Sequence, residues 1–284
     1  MNKQAFTRQI RPSDSNMHIC ALGSSFAAGP GIKPQIDTTA RRSGNNYPSL
    51  ISRSLNAKLT DLSSSGATLL NVLNEPQQFL LAKSPPQLEG LPPDADIVTL
   101  TAGGNDMGYS GGMIMEAAKA EIKDTDVLGG IMEMMGLDEK SSNVTGISSS
   151  EVKDRFLKVI DRVHELAPKA KIYLVEYLSV FDSGTVKGPE QPLEHDRVQH
   201  YIGMARDLSK AYRDAAAARK EFVEVVRISE VSEGHGVGSR EPWMVGFTAK
   251  MFMEGGAPFH PNAEGHVAVA REVERRIKGA GGVS

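Results

Sequence analysis

With 284 residues, 40% of them hydrophobic, and a formal charge of -3, the chain has the composition of a globular protein and lacks the basic excess that neutralises nucleic-acid phosphates, so no nucleic-acid partner is expected. No run of about 20 apolar residues is present, which excludes an integral membrane helix, and no apolar stretch of signal-peptide length precedes the first predicted strand. Cys20 is the single cysteine, which excludes an intrachain disulfide, and a reducing, cytoplasmic setting is expected.

Short apolar runs bounded by turn residues alternate with segments long enough for helices, the pattern of parallel strands joined by crossovers. The first run, 17–22 (MHICAL), holds Cys20 where a buried small hydrophobe is expected rather than a reactive thiol. Directly after it comes Leu22-Gly23-Ser24-Ser25-Phe26-Ala27-Ala28-Gly29-Pro30-Gly31. A serine placed where a strand turns into a helix exposes its hydroxyl at the sheet's rim, and its own N–H can face a substrate oxygen. Turn formation or capping is the other use of such a residue. A helical pattern at about 47–56 leads to the second strand, 57–62 (AKLTDL), and then to Ser63-Ser64-Ser65-Gly66-Ala67-Thr68. Gly66 lets backbone approach a ligand closely and offers its N–H as a donor, or it serves as a plain connection.

The third strand, 95–101 (ADIVTLT), runs into Thr101-Ala102-Gly103-Gly104-Asn105-Asp106. An asparagine held by such a turn can aim its amide at the oxyanion of an attacked ester carbonyl, or it can organise the loop as an Asx turn. The segment 107–150 breaks the rhythm: it is punctuated by glycine and rich in methionine (Met107, Met113, Met115, Met132, Met134, Met135), and reads as an insertion between the third and fourth strands. Thioether side chains suit a lid or acyl-chain wall, or the core of a helical subdomain. Its polar end leads to a cap whose capping-box match is partial, since Ser150 stands three before Lys153. A helix at 151–166, a strand at 170–178 (AKIYLVEYL), an alanine-rich helix at 194–219 and a strand at 222–228 follow. Phe259-His260-Pro261-Asn262-Ala263-Glu264-Gly265-His266 then opens a last helix, 262–278, closed by Gly279. His260 lies on a loop that can reach the sheet's rim, and an imidazole pKa near neutrality suits proton transfer with a serine. His266 reads as a packing or hydrogen-bonding residue, and the pair lacks the HExxH spacing of a zinc site, so no metal is implied. The whole reads as one α/β domain over 1–284, with ligands at the carboxyl ends of its strands.

Taken together and in this order, the motifs resemble the SGNH (GDSL-like) hydrolase family, and the likeness runs from the first strand to the last helix. The family's Gly-Asp-Ser block is matched by LGSSFAAGPG with Ser24 in the aspartate's place, which makes Ser25 the nucleophile. Its glycine block aligns with Gly66, its Gly-x-Asn-Asp block with Gly103-Gly104-Asn105-Asp106, and its Asp-x-x-His block with Ala257-Pro258-Phe259-His260. The resemblance implies a flavodoxin-like three-layer αβα sandwich on a five-stranded parallel sheet, hydrolysis of acyl esters, and no cofactor. Ala257 stands where the family supplies the acid that orients the histidine. A Ser-His dyad is therefore expected, oriented by the Ala257 carbonyl, by Glu254, or by an acid distant in sequence. The stretch 234–243 also resembles a segment of lipase-like members, and Trp243, the single tryptophan, is a candidate wall of the acyl pocket or a core residue.

A small-molecule or lipid ester is the expected substrate. The two departures, at Ser24 and Ala257, support a second reading: a catalytically silent acyl- or glycan-binding protein on the same fold. A third, a metal-dependent phosphoesterase using Asp106 and the histidines, lacks a dense carboxylate and histidine cluster in the sequence. Acyl and alcohol specificity and oligomeric state are not encoded in these motifs.

Overall fold

A parallel strand covered on both faces must be apolar along its whole length, and β1 (His18–Gly23) is buried at each of its six residues. The computed structural model describes residues 17–79, 81–122, 129 and 146–280. β1 pairs in parallel with β2 (Lys58–Asp61) on one side and β3 (Ile97–Thr101) on the other, and β4 (Lys171–Val175) and β5 (Val223–Val226) extend the sheet in the order β2-β1-β3-β4-β5. The strand order reverses at β1, so the carboxyl ends of β1 and β3 flank the crevice where such sheets bind ligands. In register, Gly23 ends β1 opposite Thr101 at the end of β3.

The crossovers hold α1 (Ser25–Ala28), α2 (Tyr47–Leu55), α3 (Leu69–Leu73), α4 (Tyr109–Glu121), α5 (Ser149–Leu166) and α6 (His195–Ala217), and α7 (Ile228–Val231), α8 (Ala249–Met253) and α9 (Ala263–Ala280) follow the last strand. α2 packs on α9 in one helical layer, while α5 packs on α6 and α3 in the other. The result is the expected αβα sandwich. Local chemistry marks the helix ends. Asn46 caps α2 by accepting the Ser49 N–H, and Asn56 ends it in the left-handed region. α5 begins with a full capping box, but the pair is Ser148 and Glu151 rather than the Ser150 and Lys153 spacing expected. α9 is opened by Asn262, whose Oδ1 accepts the Gly265 N–H, and it runs through Gly279 to Ala280.

The core is continuous across the sheet, with Phe156 against Tyr212 (4.5 Å between centroids) on one side and Tyr47 and Ile51 on the other. Cys20 is buried within it, and burial, with Asp61 nearby, pushes its thiol up to about 12. The segment 107–150 leaves and returns at neighbouring points, for the Ile147 N–H bonds to the Asp106 carbonyl at 3.0 Å. Its described helix, α4, packs against α6, and Met107, Met113 and Met115 are core residues; Met132, Met134 and Met135 lie outside the described residues. No described helix is long and apolar enough to cross a membrane.

The β1 to α1 turn depends on a glycine. Gly23 has φ +144°, and a Cβ there would stand 2.3 Å from the Thr101 carbonyl oxygen, with no flexible side chain able to give way. Gly23→Ala should therefore lower the unfolding free energy in urea by about 1–3 kcal/mol or more. Wild-type stability of that variant would show that the turn has room the backbone contacts deny.

Candidate active site

Three strand ends and one loop converge. The first is the turn after β1, which is held from several sides: Gly23 N–H and carbonyl are both bonded by the Gln87 side chain, and Ser24 N–H donates to the Thr101 carbonyl at 2.8 Å. This clamps Ser25 at the first position of α1, only 3% exposed. The start of a helix has N–H groups with no intrahelical acceptor, and the Ser25 N–H finds none among the described residues.

The second loop follows β2. The Ala67 N–H returns to the Ser64 carbonyl at 3.1 Å, closing a turn in which Gly66 takes φ +84°, the conformation that favours glycine in a type II turn. Gly66 is exposed, and its N–H also has no protein acceptor among the described residues. The third follows β3. The Asn105 side chain donates one amide hydrogen to the Ala67 carbonyl at 2.9 Å, and Asp106 accepts from the Leu69 N–H at 2.9 Å and from Arg155 at 2.7 Å. Burial pushes the Asp106 carboxyl up against the lowering pull of those donors. Asp106 thus ties the asparagine loop to the start of α3 and to α5. Among the described residues, no three His, Cys, Asp or Glu side chains gather as a metal set.

His260 arrives from the far end of the chain. The segment before it crosses 243–247, with the Phe259 N–H on the Val245 carbonyl (2.8 Å) and the Val245 N–H on the His260 carbonyl (2.9 Å). Phe259 is buried against Phe181 and Phe247 in a left-handed conformation, φ +57°, which is unusual for a bulky residue and marks a constrained position. This turn aims the His260 ring at the β1 turn, where its Nε2 lies 2.8 Å from Ser25 Oγ. The other ring nitrogen, Nδ1, lies 2.8 Å from the Pro258 carbonyl oxygen. A carbonyl only accepts, so Nδ1 carries the hydrogen and Nε2 presents its lone pair to the serine hydroxyl. Burial is the main cause that lowers the His260 pKa to about 4; the Pro258 bond raises it, and the nearby Arg41 charge lowers it further.

Several expectations need correction. The orienting carbonyl is that of Pro258, not Ala257, because the left-handed turn at Phe259 folds the ring back over the residue two positions before it. Glu254 is exposed and faces Lys250. The near-neutral histidine expected from an ordinary imidazole is displaced downward by burial. Trp243 is half-buried with its ring stacked on His235 at 3.8 Å, and its backbone, accepting the Asn262 N–H, braces the start of α9. His266, by contrast, is the packing and hydrogen-bonding residue expected: it is buried, its Nδ1 accepts the Tyr47 N–H, joining α9 to α2, and burial holds its pKa down to about 3.

The sequence reading missed the residues that join these loops. Ser24 Oγ, in the aspartate's place, lies 2.7 Å from the Tyr177 hydroxyl, and the Tyr177 ring edge packs so closely on Gly104 that a Cβ there would stand 2.8 Å from it. Tyr177, two residues beyond β4, therefore links the serine turn to the asparagine loop. Tyr212 holds both the N–H and the carbonyl of Ala102, and Tyr47 bonds Thr101. No local pattern announces such hydroxyls; aromatic residues at strand ends are the available hint.

The sequence profile of the GDSL-like Lipase/Acylhydrolase family matches residues 21–268. Lipase 2 of Streptomyces coelicolor is 27% identical over 88% of this chain and 82% of its own length, and an esterase of Streptomyces scabiei is 28% identical over 90% and 84%. Among solved structures, phospholipase A1 from Streptomyces albidoflavus superposes with a TM-score of 0.68 at 19% identity, covering 93% of this chain and all of that one. The extracellular lipase from Streptomyces rimosus gives 0.65 at 20% identity, covering 92% and 99%. These two share the fold.

Tyr177→Phe keeps the ring against Phe26 but removes the hydroxyl bridge. It should retain the wild-type melting temperature within a few degrees and slow the reaction of Ser25 with a fluorophosphonate by roughly tenfold to a hundredfold, as the serine turn loses its register with the Asn105 loop. An unchanged labelling rate would remove Tyr177 from the positioning of that turn.

Proposed function

The chain belongs to the GDSL-like lipase/acylhydrolase family and is a carboxylic ester hydrolase, and on that premise we propose that it cleaves acyl esters through a Ser25–His260 dyad and a covalent acyl-enzyme. One observation carries the proposal: the serine hydroxyl and the unprotonated nitrogen of a buried histidine lie 2.8 Å apart, although they are 235 residues apart in sequence.

In this mechanism Ser25 Oγ attacks the carbonyl carbon while its proton passes to His260 Nε2. The carbonyl oxygen becomes an oxyanion, received by the N–H groups of Ser25 and Gly66 and by the Asn105 amide. Collapse of the tetrahedral intermediate breaks the bond to the alcohol, which takes the proton from His260. Water then attacks the acyl-serine, giving a proton to His260, which returns it to Ser25 Oγ as the acid departs. The Pro258 carbonyl holds the tautomer that each step requires. It carries no full charge to stabilise the imidazolium, and burial disfavours that charge, so the carbonyl supplies the orienting part of a carboxylate's work and little of the charge stabilisation.

Of the two adjacent hydroxyls, Ser25 is the nucleophile in this proposal because Ser24 is engaged by Tyr177 and directed away from His260. The silent-binder reading drew on the two family departures, and both have local substitutes: Tyr177 for the partner of the missing aspartate, and Pro258 for the missing orienting acid.

Labelling by a fluorophosphonate should vanish in Ser25→Ala and persist in Ser24→Ala; absence of labelling in the wild type would favour the binder. Asn105→Ala should fold and lose on the order of a hundredfold or more in kcat, and full activity in that variant would exclude Asn105 from the oxyanion site. Only neutral His260 accepts a proton, so kcat/KM should rise as pH passes through about 4 and stay level from there to neutrality. Besides burial and the Pro258 carbonyl, the charged neighbour that sets this limb is Arg41, which disfavours the imidazolium; His266, held lower still, is neutral while His260 titrates. A limb near an ordinary histidine value would mean that the ring is wetter than its burial implies.

A further inference from the structure

Arg41 occupies the seam between two of the loops that form the site. The carbonyl of Ala40, the residue before it, accepts the Ser65 N–H at 2.8 Å and so fixes the strand of chain next to Gly66. The Arg41 guanidinium itself reaches the opposite loop, where Nη2 donates to the carbonyls of Gly255 at 2.7 Å and Gly256 at 3.4 Å, just ahead of the Ala257–His260 turn. Its charge is close enough to His260 to reduce the basicity of that ring.

Three features set this arginine apart. First, it has no carboxylate partner among the described residues, although it is half-buried. The acids that flank its two loops have other partners: Asp37, four residues before it, pairs with Arg42 at 2.9 Å, and Glu254, next to Gly255, faces Lys250. Second, a guanidinium presents five N–H groups in a rigid fork, and here Nη2 alone is engaged, leaving Nη1 and Nε without acceptors among the described residues. Third, Arg41 adopts φ +50°, a conformation that a non-glycine residue accepts only where its surroundings impose it. A half-buried cation with no counter-ion is unfavourable in the free protein and favourable once an anion pairs with it.

We propose that Arg41 is a specificity-determining residue that recognises an anionic group, a carboxylate or a phosphate, on the ester substrate at the mouth of the Ser25–His260 site. The inference rests on the hydrolase reading and adds the class of ester preferred: one carrying a negative charge near the scissile bond rather than a neutral triacyl or simple alkyl ester. The fork geometry suits two parallel hydrogen bonds to a carboxylate or phosphate, which a lysine would not supply.

Two matched pairs of esters separate the sources of the charge. Monoesters of p-nitrophenol with glutaric acid and with butyric acid place or omit a carboxylate on the acyl side. Acylglycerol phosphate and the corresponding monoacylglycerol place or omit a phosphate on the alcohol side. The wild type should favour the charged member of at least one pair in kcat/KM, and that charged-to-neutral ratio should fall by about tenfold or more in Arg41→Gln while being kept in part by Arg41→Lys. The same ratio should decline as ionic strength rises, a readout that serves even if Arg41→Gln fails to fold. If Arg41 were only a clamp between loops, Arg41→Gln would slow both members of each pair alike and leave the ratio unchanged. An unchanged ratio, or a wild-type ratio near one in both pairs, overturns the role of Arg41 and leaves ester hydrolysis standing. Failure of the wild type to cleave any of the four esters, together with no fluorophosphonate labelling of Ser25, overturns the hydrolase reading and this inference with it.

Discussion

The hydrogen bond from His260 Nδ1 to the Pro258 carbonyl is the constraint on which the site depends. An imidazole offers two nitrogens and one hydrogen, and an acceptor on one side decides which nitrogen is left bare on the other. Here the acceptor belongs to the same short turn as the ring. Its position is set by the left-handed Phe259 and by the pairing of that residue with Val245, so the orienting group is built from backbone. The aromatic packing of Phe259 against Phe181 and Phe247 is what makes this strained conformation affordable.

A neutral orienting group changes the electrostatics of the site. A carboxylate beside the ring would favour the imidazolium; a carbonyl does so weakly, and burial opposes it, with the result that His260 is held near 4. Arg41 works in the same direction. The histidine is consequently a bare base over the whole physiological range, and the chemical difficulty moves from freeing its lone pair to stabilising the proton once it arrives. An anion paired with Arg41 would relieve part of that difficulty, which connects substrate charge with the basicity of the dyad.

Much of the architecture was legible in the sequence because it follows from short-range rules. Apolar runs such as 17–22 and 95–101 become β1 and β3, and the glycine, serine and asparagine residues after them sit where a parallel sheet presents its carboxyl ends. Ser25, Gly66 and Asn105 are legible as residues of such loops and His260 as one of the loop ahead of the last helix, and the resemblance to the SGNH family joins the four into one expected site. What was not legible depends on backbone angles or on long-range contact. One residue in the left-handed region moves the orienting carbonyl from Ala257 to Pro258, and no side-chain pattern signals it. The Ser24–Tyr177 bridge spans 153 residues, and the reach of Arg41 to Gly255 spans 214, so neither leaves a periodic trace. The displaced histidine pKa is likewise a property of the surroundings. The cap at Ser148 is a different case: the Ser-x-x-Glu signal was present, two residues before the spacing that was weighed.

The most direct measurement is the protonation and tautomeric state of His260, read by nitrogen-15 NMR with the signal assigned by comparison with His260→Gln. At pH 7 the account predicts a neutral ring with the hydrogen on Nδ1 and a bare Nε2, a state that persists until the pH falls to about 4. A ring that carries its hydrogen on Nε2, or one that protonates near an ordinary histidine value, would contradict it.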